Sequence, residues 1–265
     1  MIANILTVAG SDPSGGAGIQ ADLKTFAARG TYGMAALTAL TAQNTQGVTG
    51  VQLVPSAFVA DQIKAVFADV RVDAIKIGMI GTAEIAEAVA DALTQHRDVP
   101  IVLDPVMVAK GGASLLARDA VEALTRRLLP LATLVTPNLP EAAALLGEPE
   151  AANREVMARH AERLLALGPR AVLVKGGHLS DPDSPDVLVQ DGVLTWLEGR
   201  RSKTVNTHGT GCTLSSAIAA ELGKGLELRE AVRVAKDYVS AAIARSDELT
   251  VGSGHGPVHH FYNRW

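Results

Sequence analysis

A single cysteine, Cys212, in 265 residues rules out an intrachain disulfide. There is no run of about 20 apolar residues, so no membrane span is expected. No basic segment precedes the first apolar run, so no secretory signal is expected either. Basic residues are not in excess. Lys and Arg number 24 against 28 Asp and Glu, a net charge of −4, which argues against a broad nucleic-acid footprint. Charged residues make up only 20% and hydrophobic residues 48%, so the chain can bury a sizeable core and is not globally disordered. Residues 30–60 hold no charge at all, yet Gln43, Asn44, Gln46 and Gln52 make that stretch too polar to span a bilayer. No internal repeat is apparent. These absences leave a cytoplasmic α/β enzyme, one domain over residues 1–265, as the expectation.

What is present is alternation. Short β-branched runs predict strands at 4–9, 35–41, 51–54, 74–77, 101–103, 134–136, 171–174, 187–190 and 193–197. Ala- and Leu-rich patterns predict helices at 17–28, 56–70, 82–95, 118–129, 139–146, 153–167, 213–222 and 228–245, with Ser56 as N-cap of the second. Asp191-Gly192 reads as a two-residue hairpin turn between the last two strands. The pattern predicts three α/β/α layers: a mostly parallel central sheet, helices on both faces, one late antiparallel hairpin and no separate lid domain. Ligands of such sheets sit beyond the carboxyl ends of the strands, where several loops here are glycine-rich.

The first such turn runs from Gly10 to Gly18 and opens a helix, a geometry that can present backbone N–H groups to an anion. Gly16-Ala17-Gly18-Ile19-Gln20-Ala21 fits a dinucleotide-binding variant, but no Asp or Glu lies between Asp22 and Asp61 to hold a ribose. That disfavours a NAD-dependent oxidoreductase. The second turn, Asn206-Thr207-His208-Gly209-Thr210-Gly211-Cys212-Thr213, leads into a helix and reads as an anion hole. At this helix start the dipole should depress the Cys212 pKa; alternatively Cys212 is a small buried side chain. Lys175 ends a strand beside Gly176 and Gly177 and can reach a phosphate. Asp104 ends another strand, where it can hold Mg²⁺ through water or simply form an Asp-Pro turn. Asn138 and Glu141 share a helix face; they suit either a hydrated Mg²⁺ or a capping box, and one Glu141 rotamer cannot fully serve both. His255, His259 and His260 cluster without the partners of a zinc site, and no thiol-hydrolase signature accompanies Cys212.

The stretches AGSDPSGGAGIQADLKTF, TALTAQNTQGV, KIGMIG, LDPVMVAKGG, TPNLPEAAALL, VKGGH and NTHGTGCTLSSAIA together closely resemble the bacterial hydroxymethylpyrimidine/phosphomethylpyrimidine kinases of thiamine biosynthesis. That family belongs to the ribokinase-like superfamily. The resemblance spans almost the whole chain. It implies transfer of the γ-phosphoryl group of ATP, with Mg²⁺, to 4-amino-5-hydroxymethyl-2-methylpyrimidine and then to its monophosphate. It places Gly209, Thr210 and Gly211 in the anion hole and Cys212 at the catalytic-base position, where most ribokinase relatives carry Asp. Lys175, Asn138 and Thr207 would bind ATP, and Glu141 and Asp104 would bind Mg²⁺ directly or through water. Gln43, Asp22, Val106, Gly10 and Ala17 would bind the pyrimidine, with a flap at 104–112 shielding the site. A homodimer is implied. The alternative within the superfamily is a pyridoxal or pyridoxine kinase; outside it, a regulatory protein on a degenerate kinase scaffold.

Overall fold

A computed structural model describes residues 1–107, 118–179 and 183–264; most of the expected flap, residues 108–112, lies outside them. The first half of the chain supplies β1 Asn4–Ala9, α1 Gly18–Ala28, β2 Tyr32–Leu37, β3 Ala39–Asn44, β4 Gly47–Leu53, α2 Ser56–Asp69, β5 Ala74–Ile77, α3 Ala83–Leu93 and β6 Ile101–Leu103. The second half supplies α4 Arg118–Ala123, β7 Leu134–Val135, α5 Leu139–Leu146, α6 Arg154–Leu165, β8 Ala171–Lys175, β9 Asp186–Gln190, β10 Val193–Leu197, α7 Thr210–Gly223 and α8 Leu228–Ala244.

Among the described residues the main sheet runs β10-β9-β8-β7-β6-β5-β1-β2. From β2 to β8 the pairs are parallel; β8–β9 and β9–β10 are antiparallel. The period-2 alternation of each strand divides its side chains between two cores. Leu6, Val8, Ile75, Ile77, Ile101 and Leu103 meet α2, α3 and the following helices on one face. Ile5, Ala74 and Val102 meet α7 and α8 on the other, where α1 also packs through Phe26. Asp191 (φ 52) and Gly192 (φ 73) make the expected hairpin turn, both left-handed.

Several elements differ from expectation. The strand predicted at 35–41 is two strands broken at Thr38, whose N–H and hydroxyl turn to Ala9 O and Met79 O. β3 then pairs only with β4, in a separate antiparallel ribbon. Ser56 is not an N-cap; Pro55 holds that position without a side-chain bond. After Ala123 the predicted helix continues as a π turn at Leu124–Leu128 and a 3₁₀ turn at Leu129–Leu131, with Pro130 inside that turn and the chain extended again at Ala132. α7 begins at Thr210 rather than 213, with Gly209 as N-cap at φ 76.

One buried charge cluster fixes the elements that carry the site. Lys76 sits on β5 at the alternation that faces α7, with no exposure to water. Its ammonium bonds both carboxylate oxygens of Asp22 on α1 at 2.9 Å. Thr7 of β1 donates to the same carboxylate at 2.7 Å and Ser216 of α7 at 2.6 Å. Burial, the largest single effect, lowers the Lys76 pKa, but Asp22 together with Cys212 and Asp104 outweighs it and holds the ammonium above its usual range. Lys76→Met strands the Asp22 charge and should lower stability by about 3–5 kcal/mol, read by urea unfolding; a loss under about 1 kcal/mol would mean that the pair is not structurally needed.

Candidate active site

A cavity of about 960 Å³ opens beyond the carboxyl ends of the parallel strands. Gly10 follows β1, Met79 lies just past β5, Asp104 follows β6, Asn138 lies just past β7 and Lys175 ends β8; all line the wall. The two glycine-rich turns meet here. The Gly16 carbonyl oxygen packs against Gly209, where any Cβ would collide with it, and the positive φ at Gly209 independently favours glycine.

Thr210 N–H turns back to Thr207 O at 3.4 Å, and Thr213 makes the first i→i−4 bond, N–H to Gly209 O at 2.8 Å. The N–H groups of Gly211 and Cys212, earlier in the same turn, have no intrahelical acceptor and open at the cavity wall. Thr210 ties the turn internally through its hydroxyl to Thr207 O, 2.8 Å. A helix N-terminus of this kind favours negative charge.

Lys175 reaches into the cavity and donates to Asp104 Oδ1 at 2.9 Å, with Glu141 Oε2 at 3.8 Å. Burial would raise the Asp104 pKa, but Lys175 and Lys76 outweigh it, so the carboxylate stays ionised. Glu141 goes the other way: burial pushes its pKa up to about 7, with Lys175 opposing and Asp104 reinforcing. The capping box is formed, Asn138 Oδ1 accepting from the Glu141 N–H and Glu141 Oε2 from the Asn138 N–H. Glu141 nonetheless lines the cavity, so capping does not withdraw it from the site.

No group of three or more His, Cys, Asp or Glu able to hold a metal occurs among the described residues. The Asp104–Glu141 pair instead fits Mg²⁺ as hard cations are commonly held beside phosphates, by one or two carboxylates with water and phosphate oxygens completing the shell.

Two expectations are corrected. Cys212 lies at the third position of α7, half-buried, yet its thiol is raised to about 11, not depressed. Desolvation is the largest cause. The Lys76 ammonium pulls the other way, and Asp104 and Asp22 add to the rise. Asp22 does not line the cavity; it is wholly buried and engaged by Thr7, Lys76 and Ser216. Gln43, Val106, Gly10, Ala17 and Thr207 all line the wall.

Sequence reasoning missed Lys76, Asp12 and His208. Lys76 also lines the cavity, and its signal was a lysine amid the apolar alternation of β5. Asp12 and His208 stood inside the two glycine-rich motifs and are joined at 2.8 Å, a pairing of distant segments that spacing cannot reveal.

A family profile described as "Phosphomethylpyrimidine kinase" matches residues 12–259. The chain belongs to the phosphomethylpyrimidine kinase family. It is a phosphotransferase of the ribokinase-like fold. A hydroxymethylpyrimidine/phosphomethylpyrimidine kinase of Salmonella typhimurium is 53% identical over 262 residues, 99% of this chain and 98% of that protein. The structure of phosphomethylpyrimidine kinase from Clostridium difficile is 45% identical, with TM-score 0.81 over 91% of this chain and 99% of that one. An ADP complex of Bacillus subtilis pyridoxal kinase is 37% identical, with TM-score 0.91 over 100% and 99% of the two chains.

As the chain's one thiol, Cys212 alone reports alkylation by iodoacetamide. The rate should climb about tenfold per pH unit from pH 7 to 10 without levelling, where an ordinary thiol near pKa 8.5 levels off. A plateau below pH 9 would mean that the helix N-terminus outweighs burial.

Proposed function

We propose that residues 1–265 act as one cytoplasmic kinase domain. It transfers the γ-phosphoryl group of ATP to the hydroxymethyl oxygen of 4-amino-5-hydroxymethyl-2-methylpyrimidine, and then a second one to the monophosphate so formed. The reading is carried by one observation: the unbonded N–H groups at the start of α7 and the Gln43 carboxamide line the same cavity. An acceptor held at Gln43 can therefore meet a phosphoryl group held at residues 209–211. The 53% identity to a kinase named for these acceptors supports the choice over pyridoxal, the acceptor named for a relative at 37%. A thiol at the reaction centre suits a reducing compartment.

Each chain residue then has a task. Gly10, Ala17 and Val106 pack about the heterocycle, and Gln43 offers a donor and an acceptor to its edge. Lys175, Asn138 and Thr207 hold the nucleotide. Glu141 and Asp104 would hold Mg²⁺, directly or through water, and the ion neutralises phosphate charge when bound. Gly209 and Gly211 stabilise the migrating group through backbone N–H bonds, and Thr210, whose N–H turns to Thr207 O at 3.4 Å, shapes the hole between them. The acceptor oxygen bonds to the γ-phosphorus, the bond to the bridging oxygen of ADP breaks, and the hydroxyl proton passes to the Cys212 sulfur. With its thiol raised to about 11, Cys212 serves as base from a minority thiolate, which Lys76 favours. The loose transition state of phosphoryl transfer lets that proton leave late. The second transfer needs no such base, because a phosphate monoester is already largely ionised at pH 7.

Homodimerisation belongs to the same proposal. The β3–β4 ribbon lies in a stretch without charge and carries exposed Leu40, Val51 and Leu53, with Tyr32 and Phe58 exposed nearby. An exposed apolar ribbon outside the main sheet is what a symmetric partner covers.

The test is ADP release with the pyrimidine alcohol, its monophosphate and pyridoxal, with and without Mg²⁺. Turnover should require Mg²⁺ and favour the pyrimidines; turnover of pyridoxal alone would replace the acceptor. Cys212→Ala should cut turnover of the alcohol by about 10²-fold or more and of the monophosphate by less than about tenfold; equal losses would remove Cys212 as base. Leu40→Glu should shift the chain from dimer to monomer in light scattering, and an unchanged mass would place the interface elsewhere.

A further inference from the structure

Gln43 is flanked on two sides. Thr41 Oγ1, which donates to Ser11 O at 2.8 Å, lies 3.2 Å from Gln43 Oε1. The Gln43 amide nitrogen lies 3.4 Å from His208 Nε2. That ring nitrogen is already committed: it bonds Asp12 Oδ2 at 2.8 Å. Asp12 is in turn fixed by Ser14 and by the Ala17 N–H. Burial would raise the Asp12 pKa, but hydrogen bonds from His208 and Ser14 outweigh it and keep the carboxylate ionised. An ionised carboxylate can only accept, so the imidazole proton sits on Nε2 and points at Asp12. That nitrogen cannot also accept from Gln43, so the ring, fixed by Asp12, bounds the carboxamide by steric contact at 3.4 Å, and the amide hydrogens remain available to a ligand.

His208 is anchored from behind as well. Its N–H donates to Gly256 O at 3.0 Å. Gly256 N–H bonds Asn206 Oδ1 at 3.1 Å. Two residues earlier the same segment grips the tip of the ribbon that carries Gln43: His255 N–H donates to Thr45 O at 2.9 Å, and Gly254 N–H to Thr45 Oγ1 at 3.2 Å. A Cβ at Gly254 would collide with Thr45 O, so the strap lies this close only as glycine. Residues 252–256 therefore join the acceptor ribbon to the turn that begins the anion hole.

We propose that His208 is a positioning residue for acceptor selection, locking the Gln43 carboxamide in place while the strap at 252–256 holds ribbon and turn in register. This rests on the reading that the acceptor binds at Gln43.

Steady-state kinetics of His208→Ala, Gln43→Ala, the double variant and Gly254→Ala test it. His208→Ala should raise the acceptor KM about tenfold and leave the ATP KM within about twofold. The double variant should be little worse than either single one, because both act through one contact. Gly254→Ala, outside the cavity, should show the same split at about threefold. Should His208→Ala not fold, His208→Gln, which keeps an N–H for Asp12, takes its place and should show a smaller split of the same sign. Parallel rises in both KM values, additive losses in the double variant, or wild-type kinetics in Gly254→Ala would each overturn the proposal. If the wild type turns over no pyrimidine, the acceptor reading falls, and the split is then read with the acceptor that the wild type does use.

Discussion

The carboxylate of Asp22 is the point on which the site depends. It sits on α1 and takes hydrogen bonds from β1, β5 and α7 through Thr7, Lys76 and Ser216. A lysine ammonium in the middle of a sheet is tolerable only with a partner this complete. Satisfying it forces the first helix and the seventh onto one face of the sheet beside the first strand. Both helices begin in glycine-rich turns, so the same constraint brings the two turns together. The ammonium also lies near Cys212, so the cluster that organises the fold is part of the electrostatics of the site.

Within the cavity, burial and charge compete, and the winner differs from group to group. Asp104 stays ionised because two lysines face it. Glu141 has Lys175 but also Asp104, and its burial prevails. The Cys212 thiol has Lys76 and a helix N-terminus in its favour and two carboxylates against it, and desolvation decides. A helix dipole amounts to about half a charge and fades within a turn; it cannot offset the removal of water from a thiolate.

Periodicity carried most of the architecture. Nearly every strand of the main sheet and every helix of the layers on its two faces lies where the alternation of apolar residues puts it, because those residues face packed cores. The ribbon was legible only as the strand-like runs at 35–41 and 51–54; its bounds and its separate pairing were not, since its residues are neither charged nor consistently buried and no core enforces their alternation. The start of α7 was hidden by its glycines, which are poor helix formers locally but fit where a partner turn presses in. The site was legible as motifs but not as roles. Asp22 stood in the expected stretch, yet which side of α1 it faced depended on Lys76, 54 positions away. His208 and Asp12, 196 positions apart, looked like turn residues until the fold joined them.

The order of strands across the sheet has a temporal side. From β5 onward each strand is laid beside the one made before it, so the sheet can grow as the chain leaves the ribosome. Its second face cannot close at that pace. Ile5, Ala74 and Val102 wait for α7 and α8, which are synthesised after every strand. A nascent chain that has completed β10 has a sheet with one apolar face covered only by α1 and an unfinished Asp22 cluster. Such surfaces attract other chains and must be shielded until synthesis ends. The turn at residues 209–212 is made after all ten strands, so a chain that stops short of it lacks that wall of the cavity.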